Sequence, residues 1–320
     1  MKNNNNYTIY EKLTEQGLLS NEDQPSLKSR LIVGLLRLLP IKKRLASAAA
    51  VQQQVRKLIL RPAPYGPAGL GSDIAVSLKN VAGWPVYYTA LSENPESGDH
   101  VVFLHGGGYI NEIVRAHWRF IDYLNRNARV RCIVPIYPLA PHATAKDVVP
   151  AMGELLRKIL ADAGSAKVTV IGNSAGAGLG LAATQWLRDN GHNQPQRLVL
   201  ISPGIDASIN RPEQQEIADR DPIQAIPGVI EVGRLYAGEL DVTHPYVSPL
   251  NGDIGGLPPM TVFSGTLDLH YPASIDLAVK ARAAGVPIDF HLKRDQPHNY
   301  AAMPTPEGKQ ARELILALLK

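Results

Sequence analysis

Val168-Thr-Val-Ile-Gly-Asn-Ser174-Ala-Gly176-Ala-Gly-Leu-Gly-Leu-Ala-Ala-Thr-Gln-Trp186-Leu187 changes character at its middle. Its opening run of β-branched apolar residues has the form of a buried parallel strand. The part after Ser174 is built of small residues and has the form of a helix that lies close against a sheet. Gly172-Asn-Ser174-Ala-Gly176 joins the two in a G-x-S-x-G pattern. A serine on so sharp a turn has strained backbone angles, and flanking glycines allow an approach that a Cβ would hinder. The turn lifts the hydroxyl above the sheet edge, and the helix N-terminus aims N–H groups at developing negative charge. Glycine and serine are common in loops, so the pattern alone is weak. Between a strand and a helix it points to a nucleophile.

Around this stretch, strands and helices alternate. Asp73 to Lys79 and Trp84 to Leu91 flank Asn80-Val-Ala-Gly83 and predict an antiparallel opening hairpin. Val101–Leu104, Cys132–Tyr137, Leu198–Ser202, Met260–Ser264 and Ile288–Leu292 are the further apolar strands, beside the central one. Helical periodicity covers His117–Arg129, Thr144–Ala163, Tyr271–Ala284 and Glu307–Leu319. This predicts an α/β fold, a mostly parallel sheet covered by helices on both faces. Residues 205–257 are polar, Pro-rich and strandless, as expected of an insertion over the sheet edge.

The 320 residues contain 45% hydrophobic and 19% charged residues, enough for a sizeable core and against disorder. The net charge of +4 is scattered, with no basic-aromatic block, which argues against a nucleic-acid partner. The single cysteine, Cys132, excludes an internal disulfide framework and is expected as a buried core thiol. Met1 to Asn6 is polar and lacks the apolar core of a signal peptide, so a cytoplasmic location is expected. Leu31 to Leu39 is too short to span a bilayer and ends at Pro40. It predicts an amphipathic helix packed on the body and continued by Ile41–Leu60, with Lys42, Lys43 and Arg44 facing water and available for weak membrane contact. Arg61-Pro-Ala-Pro-Tyr-Gly-Pro67 breaks this helix. Residues 1–66 are thus expected as an N-terminal helical segment and 67–320 as the main domain.

His105-Gly-Gly-Gly108-Tyr109 follows a strand directly. Three consecutive glycines cost conformational entropy, and a loop whose amides must approach an oxyanion supplies a reason for them. Gly107, Gly108 and Ala175 would then be the donors, with His105 orienting the loop. A nucleophilic serine also needs a base and an orienting carboxylate. His298 in Gln296-Pro-His-Asn-Tyr300 lies in a loop that reaches the sheet edge, with His270 as its rival. His117, His142, His192, His244 and His291 suit ordinary structural places. Asp268 follows a strand and precedes a helix, and Asp206 is similarly placed.

Taken together, His105-Gly-Gly-Gly-Tyr109, Tyr137-Pro-Leu-Ala-Pro141 with Asp147, Gly172-Asn-Ser-Ala-Gly176, Tyr246-Val-Ser-Pro-Leu250 with Leu257-Pro-Pro259, Gly265-Thr-Leu-Asp268 and His298 resemble the hormone-sensitive-lipase-like esterases, the bacterial family IV. The resemblance runs from about residue 75 to the C-terminus. It implies an eight-stranded α/β-hydrolase sheet with the family's chain order of Ser, Asp and His. It also implies Ser174 as nucleophile, Asp268 as acid and His298 as base, with Gly107, Gly108 and Ala175 as oxyanion hole. The N-terminal helices and part of 205–257 would form a cap over the acyl pocket. The implied activity is hydrolysis of small to medium acyl esters without metal or organic cofactor, in a chain that could form a homodimer. The same machinery serves deacetylases, lactone hydrolases and amidases, and the fold also occurs in non-catalytic receptors. Two residues depart from the family pattern: Asn173 replaces the usual Asp, and Ala177 a usual Gly.

Overall fold

The computed structural model describes residues 24–93 and 98–320, with Thr14 and Gly17 before them. The Asn-rich start, on which the signal-peptide expectation rests, lies outside the described residues. Strands β1 (Ile74–Val81) and β2 (Trp84–Leu91) form the expected hairpin. Ala82 and Gly83 between them both have positive φ, 55° and 89°, the tight turn that matches strand twist. Six strands follow: β3 (His100–Leu104), β4 (Arg131–Pro135), β5 (Val168–Asn173), β6 (Arg197–Ile201), β7 (Met260–Gly265) and β8 (Ile288–Lys293). They complete one eight-stranded sheet of order β1-β2-β4-β3-β5-β6-β7-β8. β2 pairs antiparallel with β4, and every later pairing is parallel.

Alternation along each strand fills two cores. Val102, Leu104, Val170, Leu200 and Val262 face one side, against α4 (Ala145–Asp162), α5 (Ala175–Asp189) and α8 (Tyr271–Ala283). Val101, Phe103, Cys132, Ile171 and Phe263 face the other, against α3 (Arg115–Ala128) and α9 (Pro306–Leu318). Cys132 is fully buried there. The carboxyl ends of β3, β5, β7 and β8 release their loops on one edge of the sheet, where open parallel sheets bind ligands.

The N-terminal segment departs from expectation in two ways. It is not one continued helix. α1 (Leu27–Leu38) and α2 (Ala48–Leu60) are separated by a 3₁₀ turn at Lys42–Leu45. Pro40 in the joint has no N–H to donate, and Ser26 and Ser47 cap the two helices separately. Nor does α1 pack its leucines on the body: Ser29 and Val33 are its buried residues, while Leu27, Leu31, Leu35 and Leu38 are exposed. Its anchor is polar, with Ser26 N (2.5 Å), Ser26 Oγ (3.0 Å) and Ser29 Oγ (2.6 Å) all donating to the Glu307 carboxylate. α2 does bury an apolar face, Val51 and Val55, among Ile110, Ala140 and Leu235.

The strandless stretch 205–257 carries α6 (Glu213–Arg220) and α7 (Ile226–Ala237). α7 packs against α2 and the 3₁₀ turn, where a Cβ on Gly228 would lie 2.2 Å from Leu45 O. Lys43 and Arg44 face water as expected. Lys42 instead turns inward and donates to the carbonyls of Ala218 and Asp221, tying the turn to the end of α6.

Candidate active site

Ser174 stands between β5 and α5 with φ 55° and ψ −122°, a conformation that non-glycine residues rarely adopt. Its neighbours explain how the turn closes. A Cβ on Gly172 would lie 2.5 Å from Gly176 O, and one on Gly176 would lie 2.1 Å from Leu104 O. Only glycine permits both contacts. Ser174 N donates to Ile201 O at 2.8 Å, which locks the turn to β6.

His298 comes from the β8–α9 loop. Its Nε2 lies 2.8 Å from Ser174 Oγ. Asp268, at the turn after β7, places Oδ2 3.0 Å from His298 Nδ1. The loop can reach this far because Gly265 has no side chain: a Cβ there would meet Gln296 O at 2.2 Å. Leu267 N then donates to Gln296 O (3.0 Å), and Asn299 N to Ser202 Oγ (2.8 Å).

Burial and charge act against each other in this group. Burial disfavours charged His298, but the Asp268 carboxylate beside it and Asp221 further off outweigh that, so its pKa stands above the ordinary value. Burial likewise opposes ionisation of Asp268, yet the charge and contact of His298, with help from His270, hold it at about 2. Asp268 is therefore ionised throughout the physiological range.

The second glycine motif sits across the cleft. Tyr137 stacks on the His105 ring at 4.4 Å and donates its hydroxyl to His105 O at 2.6 Å. His105 Nδ1 contacts Gly106 O at 2.8 Å, and burial lowers its pKa to about 4, so it is a neutral brace. Gly106 N donates to Asn173 Oδ1 at 2.8 Å, joining this loop to the residue before Ser174. Gly107 has φ 137°, and a Cβ on it would lie 2.6 Å from Asn111 O. The amides of Gly107, Gly108 and Ala175 donate to no other group among the described residues. All three residues line one cavity with Ser174 and His298, of about 470 Å³. Tyr109, Val229, Val232, Tyr236 and Val247 give it apolar walls, while Ile41 and Leu45 reach it from the N-terminal segment.

The rival residues are engaged elsewhere. Asp206 accepts from Ser208 N and Oγ and pairs with Arg211 at 2.5 Å. His270 lines the cavity, but its ring centroid is 5.7 Å from that of His298, and burial lowers its pKa to about 4.

Three further residues border this group, and two of them, Asp221 and Gln224, had no sequence signal. Asp221, which follows α6, accepts from Leu269 N (2.9 Å), Ile223 N (2.7 Å) and Gln224 N (2.9 Å). Burial and the nearby Asp268 charge raise its pKa to about 6. With its amide turned so that donors meet acceptors, Gln224 donates to Asp221 Oδ2 (3.3 Å) and Asp268 Oδ1 (3.2 Å) and accepts from His270 Nε2 (3.1 Å). His117, in the first turn of α3 as an ordinary helical residue, is half-buried beside Asn173, with Nε2 3.3 Å from Asn173 Nδ2. Its pKa is lowered to about 3 by burial and by His105. Its position three residues into a helix start is the one clue the sequence holds.

A doubly covered, mostly parallel sheet with a strained serine, an imidazole and a carboxylate aligned at its carboxyl edge has the architecture of the α/β-hydrolase fold. Residues 101–302 match the model of the alpha/beta hydrolase fold family, and the chain belongs to that family. It is 33% identical over 248 residues to a triacylglycerol lipase of Mycobacterium tuberculosis, an alignment covering 75% of this chain and 52% of that one. The chain thus spans about half the length of that relative. It is 29% identical over 231 residues to an acetyl-hydrolase of Streptomyces hygroscopicus, covering 70% of this chain and 76% of the relative. The crystal structure of an esterase from the bacterial hormone-sensitive lipase family superposes with TM-score 0.76 at 28% identity, covering 92% of this chain and 98% of that one. Among the described residues no helix is long and apolar enough to cross a membrane.

Proposed function

We propose that this chain is a serine carboxylic ester hydrolase in which Ser174 is the nucleophile, His298 the base and Asp268 the orienting acid. The single observation that carries the proposal is the line Asp268 Oδ2–His298 Nδ1–His298 Nε2–Ser174 Oγ, with spans of 3.0 and 2.8 Å, opening on an apolar cavity. His298 Nε2 takes the Ser174 proton as Oγ attacks the ester carbonyl. The oxygen of the tetrahedral intermediate accepts the amides of Gly107, Gly108 and Ala175, each worth about 3–4 kcal/mol in the transition state. The imidazolium, stabilised by ionised Asp268, protonates the departing alcohol. Water then repeats the sequence on the acyl-enzyme.

The apolar walls and the volume of about 470 Å³ favour small to medium acyl groups. The N-terminal segment up to residue 66 and parts of 205–257 serve as a cap, since Ile41, Leu45, Val229 and Val232 all border the cavity. The lipase and acetyl-hydrolase names of the relatives above are consistent with ester chemistry. The test is turnover of a p-nitrophenyl acyl ester. Ser174→Ala, His298→Ala and Asp268→Asn should each fall by orders of magnitude, while His270→Ala and Asp206→Asn retain most activity. Retained turnover by a folded Ser174→Ala protein would overturn the proposal.

A further inference from the structure

Helix α1 is amphipathic the wrong way round for a helix held by the protein alone. Leu27, Leu31, Leu35 and Leu38 are spaced four, four and three residues apart, which places them on one side of a helix. They are 73%, 60%, 60% and 84% exposed, whereas Ser29 and Val33 on the opposite side are 1% and 6% exposed. The body holds α1 through buried Val33, the Ser26 and Ser29 contacts with Glu307 and Gln296, and a 3.5 Å contact of Arg37 with Arg220 O, so the four exposed leucines are not what attaches it. Leu39 beyond the helix end is also exposed. A continuous apolar strip of this kind in water marks an interaction surface.

Charge identifies the occupant. Residues 24–60 hold eight lysines and arginines and no aspartate or glutamate, in a chain whose whole excess is only +4. Lys28, Arg30 and Arg37 of α1 and Lys43 and Arg44 of the following turn are exposed. The carboxylate that α1 does touch, Glu307, is taken up by the two serines. A leucine strip bordered by cations is the pattern of a helix lying in the plane of an anionic lipid surface. At 12 residues α1 is far too short to cross a bilayer.

We infer that α1 docks the protein on anionic lipid surfaces. The turn that follows α1 contributes Ile41, Arg44 and Leu45 to the wall of the cavity. Docking through α1 therefore sets the cavity beside the lipid, where acyl esters concentrate. The docking stands apart from the assignment of Ser174: it is read from vesicle binding, with turnover only as a control for folding, so the two fail separately.

The experiment is co-sedimentation of the full chain with vesicles of phosphatidylcholine alone or mixed with phosphatidylglycerol. Binding is expected to the anionic vesicles only, and to be lost at about 1 M salt, where the Debye length is about 3 Å. Leu31→Glu/Leu35→Glu should lower partitioning by about tenfold or more, because it places two carboxylates against the headgroups. Both positions are exposed, so the variant should keep the wild-type unfolding midpoint and its turnover of a dissolved acetyl ester. Absence of binding by the wild type, or equal binding by the variant, overturns the inference. So does sedimentation equilibrium that finds a wild-type dimer, a monomeric variant and no vesicle binding, because the strip would then pair with a second copy.

Discussion

His298 is held between burial, which discharges it, and two carboxylates, which charge it. Only the neutral imidazole accepts the Ser174 proton, so turnover should rise with pH through the His298 pKa. With that pKa above its ordinary value of about 6.5, the midpoint of the acid limb of kcat/KM should also lie above about 6.5. Asp221 is one of the two charging groups, and its own pKa of about 6 leaves it mostly ionised across that limb. Asp221→Asn removes the charge, and the limb should move to lower pH; a limb that stays in place would show that Asp221 does not act on the base. Asn173 poses a separate question. Its Oδ1 takes the Gly106 amide, which leaves Nδ2 facing His117 Nε2 at 3.3 Å. Val114 N donates to His117 Nδ1, so the proton of a neutral His117 belongs on Nε2 and two donors meet there. A carboxylate at 173 would accept from both sides. Asn173→Asp should therefore raise the pKa of His117, followed by the pH dependence of its ring proton resonances; an unchanged titration would refute this account.

The elements owe their places to a few close approaches. The β5–α5 joint rests on Gly176, whose Cα lies so near β3 that an added methyl would meet backbone oxygen at 2.1 Å. Gly176→Ala should cost about 1–3 kcal/mol or more. Gly180→Ala, which would meet only side-chain carbons at 3.2 and 3.4 Å, should be near neutral or mildly stabilising as a helix substitution. Urea midpoints measured side by side decide this, and equal losses would contradict it. Much at this scale was legible in the sequence. The hairpin, the parallel strands and the helices between them appear within a few residues of their expected ends, because apolar alternation and glycine turns are local signals. The glycine loops and the positions of Asp268 and His298 were legible for the same reason, each lying in a loop that leaves the end of a strand. The orientation of α1 was not. Its periodicity shows that one side is apolar, but the partner of that side is a tertiary fact, and here the body binds the serines instead. Asp221 and Gln224 were hidden for a related reason: they belong to no motif and meet Asp268 only because α6 folds back over the sheet edge.

In the whole molecule the cavity has a floor made by the sheet and a roof made by separate helices. The roof includes Ile41, Leu45 and Gln54 from the N-terminal segment. Removing residues 1–60 should open the cavity, uncover the surface now packed by Val51 and Val55, and weaken turnover of longer acyl chains more than of acetyl esters. A chain-length series of p-nitrophenyl esters checks this, and an unaltered order of preference in the truncated protein would remove the N-terminal helices from the cap. The floor is built differently. Gly176 is wedged against β3, and Asn173 is tied to the loop that leads into Gly107. Neither half of the reaction centre can drift without the other. Warming then has no partly loosened centre to populate: hydrolysis should persist until the sheet itself melts and stop with it, while discrimination among acyl chains, written on a roof of helices outside the sheet, should fade degrees earlier.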